Sequence, residues 1–273
     1  MLTNEQIAKM IKDGRDFMKM PIEDPDYKSD QELKKPQPPL CKAAVSDVII
    51  DLPNNFNDLK IENDFLKVIN TRQSHRVYTQ ENMSLLELSY LLWITQGVKE
   101  IRGKSYATLR TVPCGGARHE FETYMVIKNV EGLKCGYYHY LPMTHQIELL
   151  KEVNELDTII GDSLLQQLWA VKANVVFYSS MVAYRAEWRY GVHAHRVALM
   201  DCGYIYENLY LACTSIGLGT CAIGAVDTPY VNEMFGLDGE EEFIICAAPV
   251  GTVSPSNKDA EQAFYAFVKE NDL

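Results

Sequence analysis

Three segments carry residue types able to hold a flat, anionic ligand. The first is Arg72-Gln73-Ser74-His75-Arg76. In an extended chain alternate side chains point to one side, so Arg72, Ser74 and Arg76 face together. Two guanidinium forks and a hydroxyl supply charge-assisted donors for a phosphate or a polarised heterocyclic carbonyl. A solvated surface stripe would use the same five residues. The second segment runs from Arg110 to His119 and contains Pro113-Cys114-Gly115-Gly116-Ala117-Arg118. Its small residues let backbone approach a ligand closely, and the Gly-Gly step can turn N–H groups towards it. It matches neither GxGxxG nor GxxxxGK[ST], so a dinucleotide-binding turn and a phosphate loop are both unsupported. A tight turn ahead of a strand is the bland alternative. The third segment, Gly217 to Ala225 (GLGTCAIGA), again permits close backbone approach, or else caps a helix and starts a short strand.

Other residues invite chemistry less strongly. Tyr184 to Tyr190 (YRAEWRY) is rich in aromatics and ends in Arg189-Tyr190, where Tyr190 could shuttle a proton. Arginine is effectively never deprotonated, so Arg189 cannot act as a base. His193 and His195 lack a third metal ligand at useful spacing and are expected at an exposed helix entry. Cys114 with His119 could form a nucleophilic pair, but no orienting Asn or Asp motif accompanies them. Cys202, Cys213, Cys221 and Cys246 sit in apolar runs and are expected as small core residues.

These segments need a scaffold, and the composition allows one. The chain has 273 residues, 47% of them hydrophobic and 23% charged, which suits a globular protein. A formal net charge of −11 disfavours nucleic acid and anionic membranes as partners. No apolar run is long enough to span a bilayer, and no secretory signal is evident, so a cytoplasmic location is expected. The seven scattered cysteines then read as reduced thiols.

Thr3 and Gln6 form a capping-box pattern ahead of a first helix, and Ser84 with Glu87 does the same for a helix reaching Gly97. Between Met20 and Leu40 lie five of the eleven prolines, which predicts an extended arm. Short strands are expected at 47–52, 119–127, 136–140, 146–150, 175–179 and 242–250. Pro142-Met143-Thr144 should turn the third of these into the fourth. A helix around Phe65, Leu66 and Ile69 should end near Arg72. Residues 196–216 read as a long helix, apolar nearly all round and therefore central, capped by Gly217. A last amphipathic helix is expected over 258–270. Strands and helices mix without strict alternation, so the fold class is α+β. Residues 1–70 read as an extension and 71–273 as the catalytic domain.

The order of these segments resembles the nitroreductase superfamily of flavin enzymes, in detail its SagB-type, thiazoline-dehydrogenase-like branch. The resemblance rests on residues 72–98, 111–127, 132–150, 196–227 and 241–251. It implies a nitroreductase-like fold: a central mixed or antiparallel sheet, flanked by helices around a long buried helix. It also implies non-covalent FMN and a homodimer with two sites at the subunit interface. By that resemblance Arg72, Gln73, Ser74 and Arg76 contact the FMN phosphate, ribityl chain and pyrimidine edge. The turn Pro113, Cys114, Gly115 and Gly116, with Arg118, packs by the flavin from the partner subunit, with cysteine where serine is usual. Ala222, Ile223, Gly224 and Ala225 present a backbone N–H to flavin N5. Arg189 and Tyr190 fall where the azoline-oxidising branch carries a Lys-Tyr pair.

The expected function is an FMN-dependent oxidoreductase working by ping-pong kinetics. It would pass hydride from NAD(P)H or an organic donor to a small electron-poor acceptor, such as a nitro compound or quinone. A SagB-type dehydrogenase acting on a peptide azoline or another natural product is the alternative, and a non-catalytic flavin sensor or scaffold is a third.

Overall fold

The computed structural model describes residues 2–19, 26–79, 81–254, 261–263 and 266. Seven strands form one sheet in the order β1 (Ile49–Asp51), β6 (Gln146–Glu152), β5 (Gly136–Leu141), β4 (Phe121–Ile127), β7 (Val175–Val182), β9 (Glu242–Thr252), β8 (Leu218–Thr220). Every neighbouring pair is antiparallel, so the sheet is not mixed. The hairpin at Pro142 forms as expected, with Leu141 opposite Gln146. All seven residues of β4 are buried, because both faces of the sheet centre are covered.

Helix α1 (Asn4–Phe17) and helix α3 (Leu85–Gln96) both start with the reciprocal capping box that their sequences signal. Helix α2 (Phe65–Thr71) ends at Arg72. The long helix α6 (Ala194–Ile216) packs against α3 and β8 and closes on Gly217, which adopts φ 77°.

Several expectations need correction. Helix α6 is not buried all round: Leu199, Met200 and Tyr204 are exposed on one side. A strand does not begin at His119, because the backbone there turns through φ 48° before β4 starts at Phe121. A separate hairpin, β2 (Val98–Arg102) and β3 (Ala107–Arg110), was not apparent from the sequence. Neither were helices α4 (Leu156–Ser163), α5 (Ala183–Tyr190) and α7 (Thr228–Phe235). Most of the helix expected at 258–270 lies outside the described residues.

The Pro-rich arm holds no helix among its described residues and lies on the body of the protein. Its anchor is a buried charge network under α5. Glu122 Oε1 meets Arg185 Nη2 at 2.6 Å and accepts from the Lys42 N–H at 2.9 Å. His139 bridges Glu122 (3.3 Å) and Glu148 (2.7 Å), and Glu148 Oε2 accepts from the N–H groups of Val45 and Ser46. Lys42 Nζ reaches Glu242 at 2.5 Å. Burial alone would raise the Glu122 carboxyl, but Arg185 and His139 outweigh it and hold the group below its ordinary range. Burial would likewise lower His139, yet its two carboxylate partners raise it.

Candidate active site

At the C-terminal end of α6 the first and third segments come together on a residue that neither contains. Tyr210 OH lies 3.1 Å from Ser74 Oγ and accepts the Ala222 N–H at 2.8 Å. The Arg72 guanidinium sits 5.3 Å from the centre of the Tyr210 ring. His75 N–H donates to the Thr220 carbonyl at 2.9 Å. A Cβ on Gly219 would fall 2.7 Å from His75 Cβ, so glycine is what lets these two segments touch. Arg76 lies instead over Trp169, 5.7 Å from its ring centre, and Gln73 is exposed. The Arg76 and Val77 N–H groups donate to Glu261 Oε1.

The backbone N–H groups of Ala222, Ile223, Gly224 and Ala225 divide into two pairs. Ala222 donates to Tyr210, and Ile223 exchanges two hydrogen bonds with Ala247. Gly224 and Ala225 are exposed, and no acceptor faces their N–H groups among the described residues. Arg72 likewise has no carboxylate partner there. An anionic ligand with ring acceptors therefore has donors waiting for it.

A second group assembles nearer the start of α6. Gly115 N–H donates to Asp201 Oδ2 at 2.9 Å, Cys114 Sγ lies 3.3 Å from Glu120 Oε2, and His119 N–H donates to Cys114 Sγ at 3.0 Å. Burial pushes the Cys114 thiol far up, and the Glu120 and Asp201 carboxyls add to this. Burial also lowers His119 to about 2. Burial thus disfavours both the thiolate and the imidazolium, which argues against the nucleophile reading of Cys114 and His119. The histidines that follow are not a metal pair either. His195 Nε2 meets Glu187 at 3.0 Å, and His193 Nδ1 is buried, which corrects the expectation that both are exposed.

Burial first and Asp201 second push Glu120 up to about 7, and Asp201 is itself raised by burial. The charged forms of both carboxyls are disfavoured here, and Glu120 Oε1 is buried without a hydrogen-bond partner among the described residues. For an acid raised in the folded state, the stabilisation is complete below about pH 4.5 and is lost as pH climbs towards 7. Glu120→Gln supplies a permanent donor. It should flatten the fall in stability between about pH 5 and pH 8, by roughly 1–3 kcal/mol, in denaturant unfolding.

Gly116 joins this group to the end of α5. It adopts φ 56°, and a Cβ there would stand 2.4 Å from Arg189 Nε and 2.8 Å from Tyr190 OH. Arg118 donates to the Gly116 carbonyl at 3.1 Å and to the Tyr106 carbonyl at 2.9 Å. The structure thus gathers Gly116, Arg118, Arg189 and Tyr190, and adds Tyr106 from the hairpin turn. Asp201 and Tyr210, which anchor the two groups, are separated by ~13 Å of helix.

Residues 69–252 match the nitroreductase family. The chain belongs to that family. It is therefore an oxidoreductase by membership, and its α+β antiparallel architecture is the family's fold. It is 32% identical over 206 residues to a nitroreductase-family protein of Methanocaldococcus jannaschii, covering 74% of this chain and 95% of the relative. It is also 27% identical over 239 residues to the trifolitoxin-processing protein of Rhizobium leguminosarum bv. trifolii, covering 83% of this chain and 62% of that one. A nitroreductase-type crystal structure from Ralstonia eutropha superposes with a TM-score of 0.61 at 23% identity, covering 81% of this chain and 96% of the other. The family span opens just before Arg72 and closes with β9, so α1 and the Pro-rich arm lie outside it. Among the described residues no helix is long and apolar enough to cross a membrane.

Tyr210, Tyr106, Glu120 and Asp201 escaped the sequence reading. Tyr210 alone left a trace, lying four residues after Tyr206 along the predicted helix.

Proposed function

We propose that this protein is an FMN-dependent oxidoreductase. In this reading it passes hydride from NAD(P)H, or from an organic donor, to an electron-poor acceptor such as a nitro compound or quinone. The observation that carries the reading is the Arg72–Ser74–Tyr210–Ala222 cluster, set beside the open N–H groups of Gly224 and Ala225. FMN supplies reversible two-electron chemistry when bound. Arg72 and Ser74 would hold its phosphate, ribityl chain and pyrimidine edge, with Gln73 beside them, while Arg76, engaged over Trp169, would contribute less. Gly224 and Ala225, rather than Ala222 and Ile223, would offer it backbone N–H donors, because the latter two are already engaged. Positive charge near the pyrimidine edge favours the anionic reduced form and raises the reduction potential.

In this reading the Pro113–Gly116 turn, with Arg118, closes the site from a second copy of the chain. The exposed apolar side chains Leu199, Met200 and Tyr204 on α6, with Phe65 and Leu66 on α2, fit a homodimer contact. With one face of the ring covered, donor and acceptor must take turns, which gives ping-pong kinetics. The likeness to a toxin-processing protein favours a second reading, in which the donor is a peptide or other natural product.

The test is optical. Protein that stays colourless and takes up no added FMN overturns the flavin reading. Yellow protein bleached by NADH or NADPH without oxygen supports the reductase. Yellow protein that neither nucleotide bleaches leaves the dehydrogenase reading standing.

A further inference from the structure

Arg189, at the end of α5, keeps its proton and cannot act as a base. It donates to a phenol that can give up and regain one. Tyr106 projects from the turn between β2 and β3. Its hydroxyl oxygen accepts from Gln31 Nε2 at 3.0 Å and from Arg189 Nη1 at 3.1 Å. Both partners are donors, so the two lone pairs of the phenol are filled and its own proton is spent on neither of them. Arg118 lies 5.0 Å from the ring centre and donates to the Tyr106 carbonyl.

The groups facing this phenol are therefore neutral Gln31 from the arm, Arg189 from α5 with Tyr190 beyond it, and Arg118 from the glycine turn. No carboxylate hydrogen-bonds to it among the described residues. Such surroundings favour the phenolate, and the Gln31 hydrogen bond, followed by Arg189 and Arg118, does lower Tyr106 against the opposing effect of burial. The residue remains 38% exposed, so a substrate can reach it.

The arm builds this arrangement. Gln31 N–H donates to the Trp188 carbonyl at 2.7 Å, and Gln31 Oε1 accepts from Arg189 at 3.0 Å. Gln37 Nε2 bonds the Ser105 carbonyl next to Tyr106. Arm, hairpin and α5 are thus fastened at one point, and that point touches Gly116 through Arg189.

We propose that Tyr106 is the proton-transferring residue of this site, with Gln31 of the N-terminal arm as its positioning residue. The assignment rests on the flavin reading above, in which the glycine turn beside Tyr106 closes the site of a second copy of the chain. FMN, when bound, would supply the hydride to one atom of an acceptor; the proton is this chain's part. The Tyr106 O–H bond breaks and its proton goes to the neighbouring heteroatom, after which water reprotonates the phenolate. When a donor is oxidised the proton runs the other way, onto the phenolate. Tyrosine gains and loses no electrons in either direction.

Two measurements decide it. The ultraviolet titration of wild type minus Tyr106→Phe should show one phenol ionising below the usual value of about 10, and Gln31→Leu should move it upward. In stopped flow, Tyr106→Phe should leave flavin content and nucleotide bleaching intact. It should slow re-oxidation by a quinone about tenfold to a hundredfold and remove one limb of its pH profile. A phenol titrating at or above the ordinary value overturns the assignment, and so does re-oxidation with an unchanged rate and pH profile. Protein that binds no flavin overturns the reading beneath it, while the ultraviolet titration still reports on Tyr106 by itself.

Discussion

Arg185→Met lowers the unfolding free energy by about 3–5 kcal/mol, because it strands the buried carboxylate of Glu122. Both side chains are almost wholly buried, and their 2.6 Å contact is the shortest bond Glu122 makes. Arg185 also donates to the His119 carbonyl, which holds the residue just before Glu120 in place. Methionine fills similar volume but offers no donor. The double variant Arg185→Met, Glu122→Leu should recover much of the loss, since removing both charges also removes the cost of burying them. Denaturant unfolding of the two single variants and the double variant measures the coupling directly. A loss below about 1 kcal/mol in Arg185→Met would show that water or another cation compensates Glu122.

The same network fixes the sign of the pH response. Glu122 is lowered on folding, so its stabilisation is present above its ordinary range near 4.5 and fades as pH falls below it. His139 is raised, so its stabilisation is complete below about 6.5 and fades as pH rises through its folded value. The two contributions oppose each other. Loss of the network therefore flattens the stability profile on both sides and does not merely shift it.

Local signals explain which parts of this protein could be read from the sequence. The caps at Thr3 and Ser84, the αL glycine after α6 and the hairpin at Pro142 each depend on residues within a few positions of one another. The β2–β3 hairpin does not. Strand β2 reads Val-Lys-Glu-Ile-Arg, is mostly exposed and shows no clean alternation. Helix α5 was seen as an aromatic stretch, yet its helicity comes with packing Ala183, Ala186 and Trp188 inward. On α6 the exposed apolar side chains Leu199, Met200 and Tyr204 read in the sequence like a core face. Composition cannot separate a side chain that meets the protein interior from one that meets another surface. Glu120 and Asp201 lie 81 positions apart, and nothing local marks a carboxyl that will be buried beside another.

The candidate site divides in the same way. Arg72, Ser74 and the glycine loop were recognisable from their order along the chain. The Tyr210 hydroxyl that joins them could be assigned only once α6 was placed. The expectation that Arg72, Ser74 and Arg76 converge holds for the first two alone, since Arg76 turns to Trp169.

That division sets up the sharpest test of the site. Arg72→Ala should weaken FMN binding about a hundredfold, whereas Arg76→Ala should weaken it less. A charge-assisted bond to phosphate is worth about 1.5–3 kcal/mol, and Arg72 has no other anion to neutralise among the described residues. Its contact with Tyr210 is a cation–π pair at a partly exposed position, worth about 0.5–1 kcal/mol, so the fold should survive the change. Arg76 is already engaged over Trp169 and has less to give. Tyr210→Phe makes the complementary change, keeping the ring under Arg72 while removing the acceptor for Ala222 N–H. It should loosen the glycine loop and raise FMN dissociation without altering the salt dependence of binding. Arg72→Ala should reduce that salt dependence, because one phosphate charge is then no longer matched. Fluorescence titration of FMN at two ionic strengths separates these effects. Equal affinity in Arg72→Ala and wild type would remove Arg72 from the cofactor site.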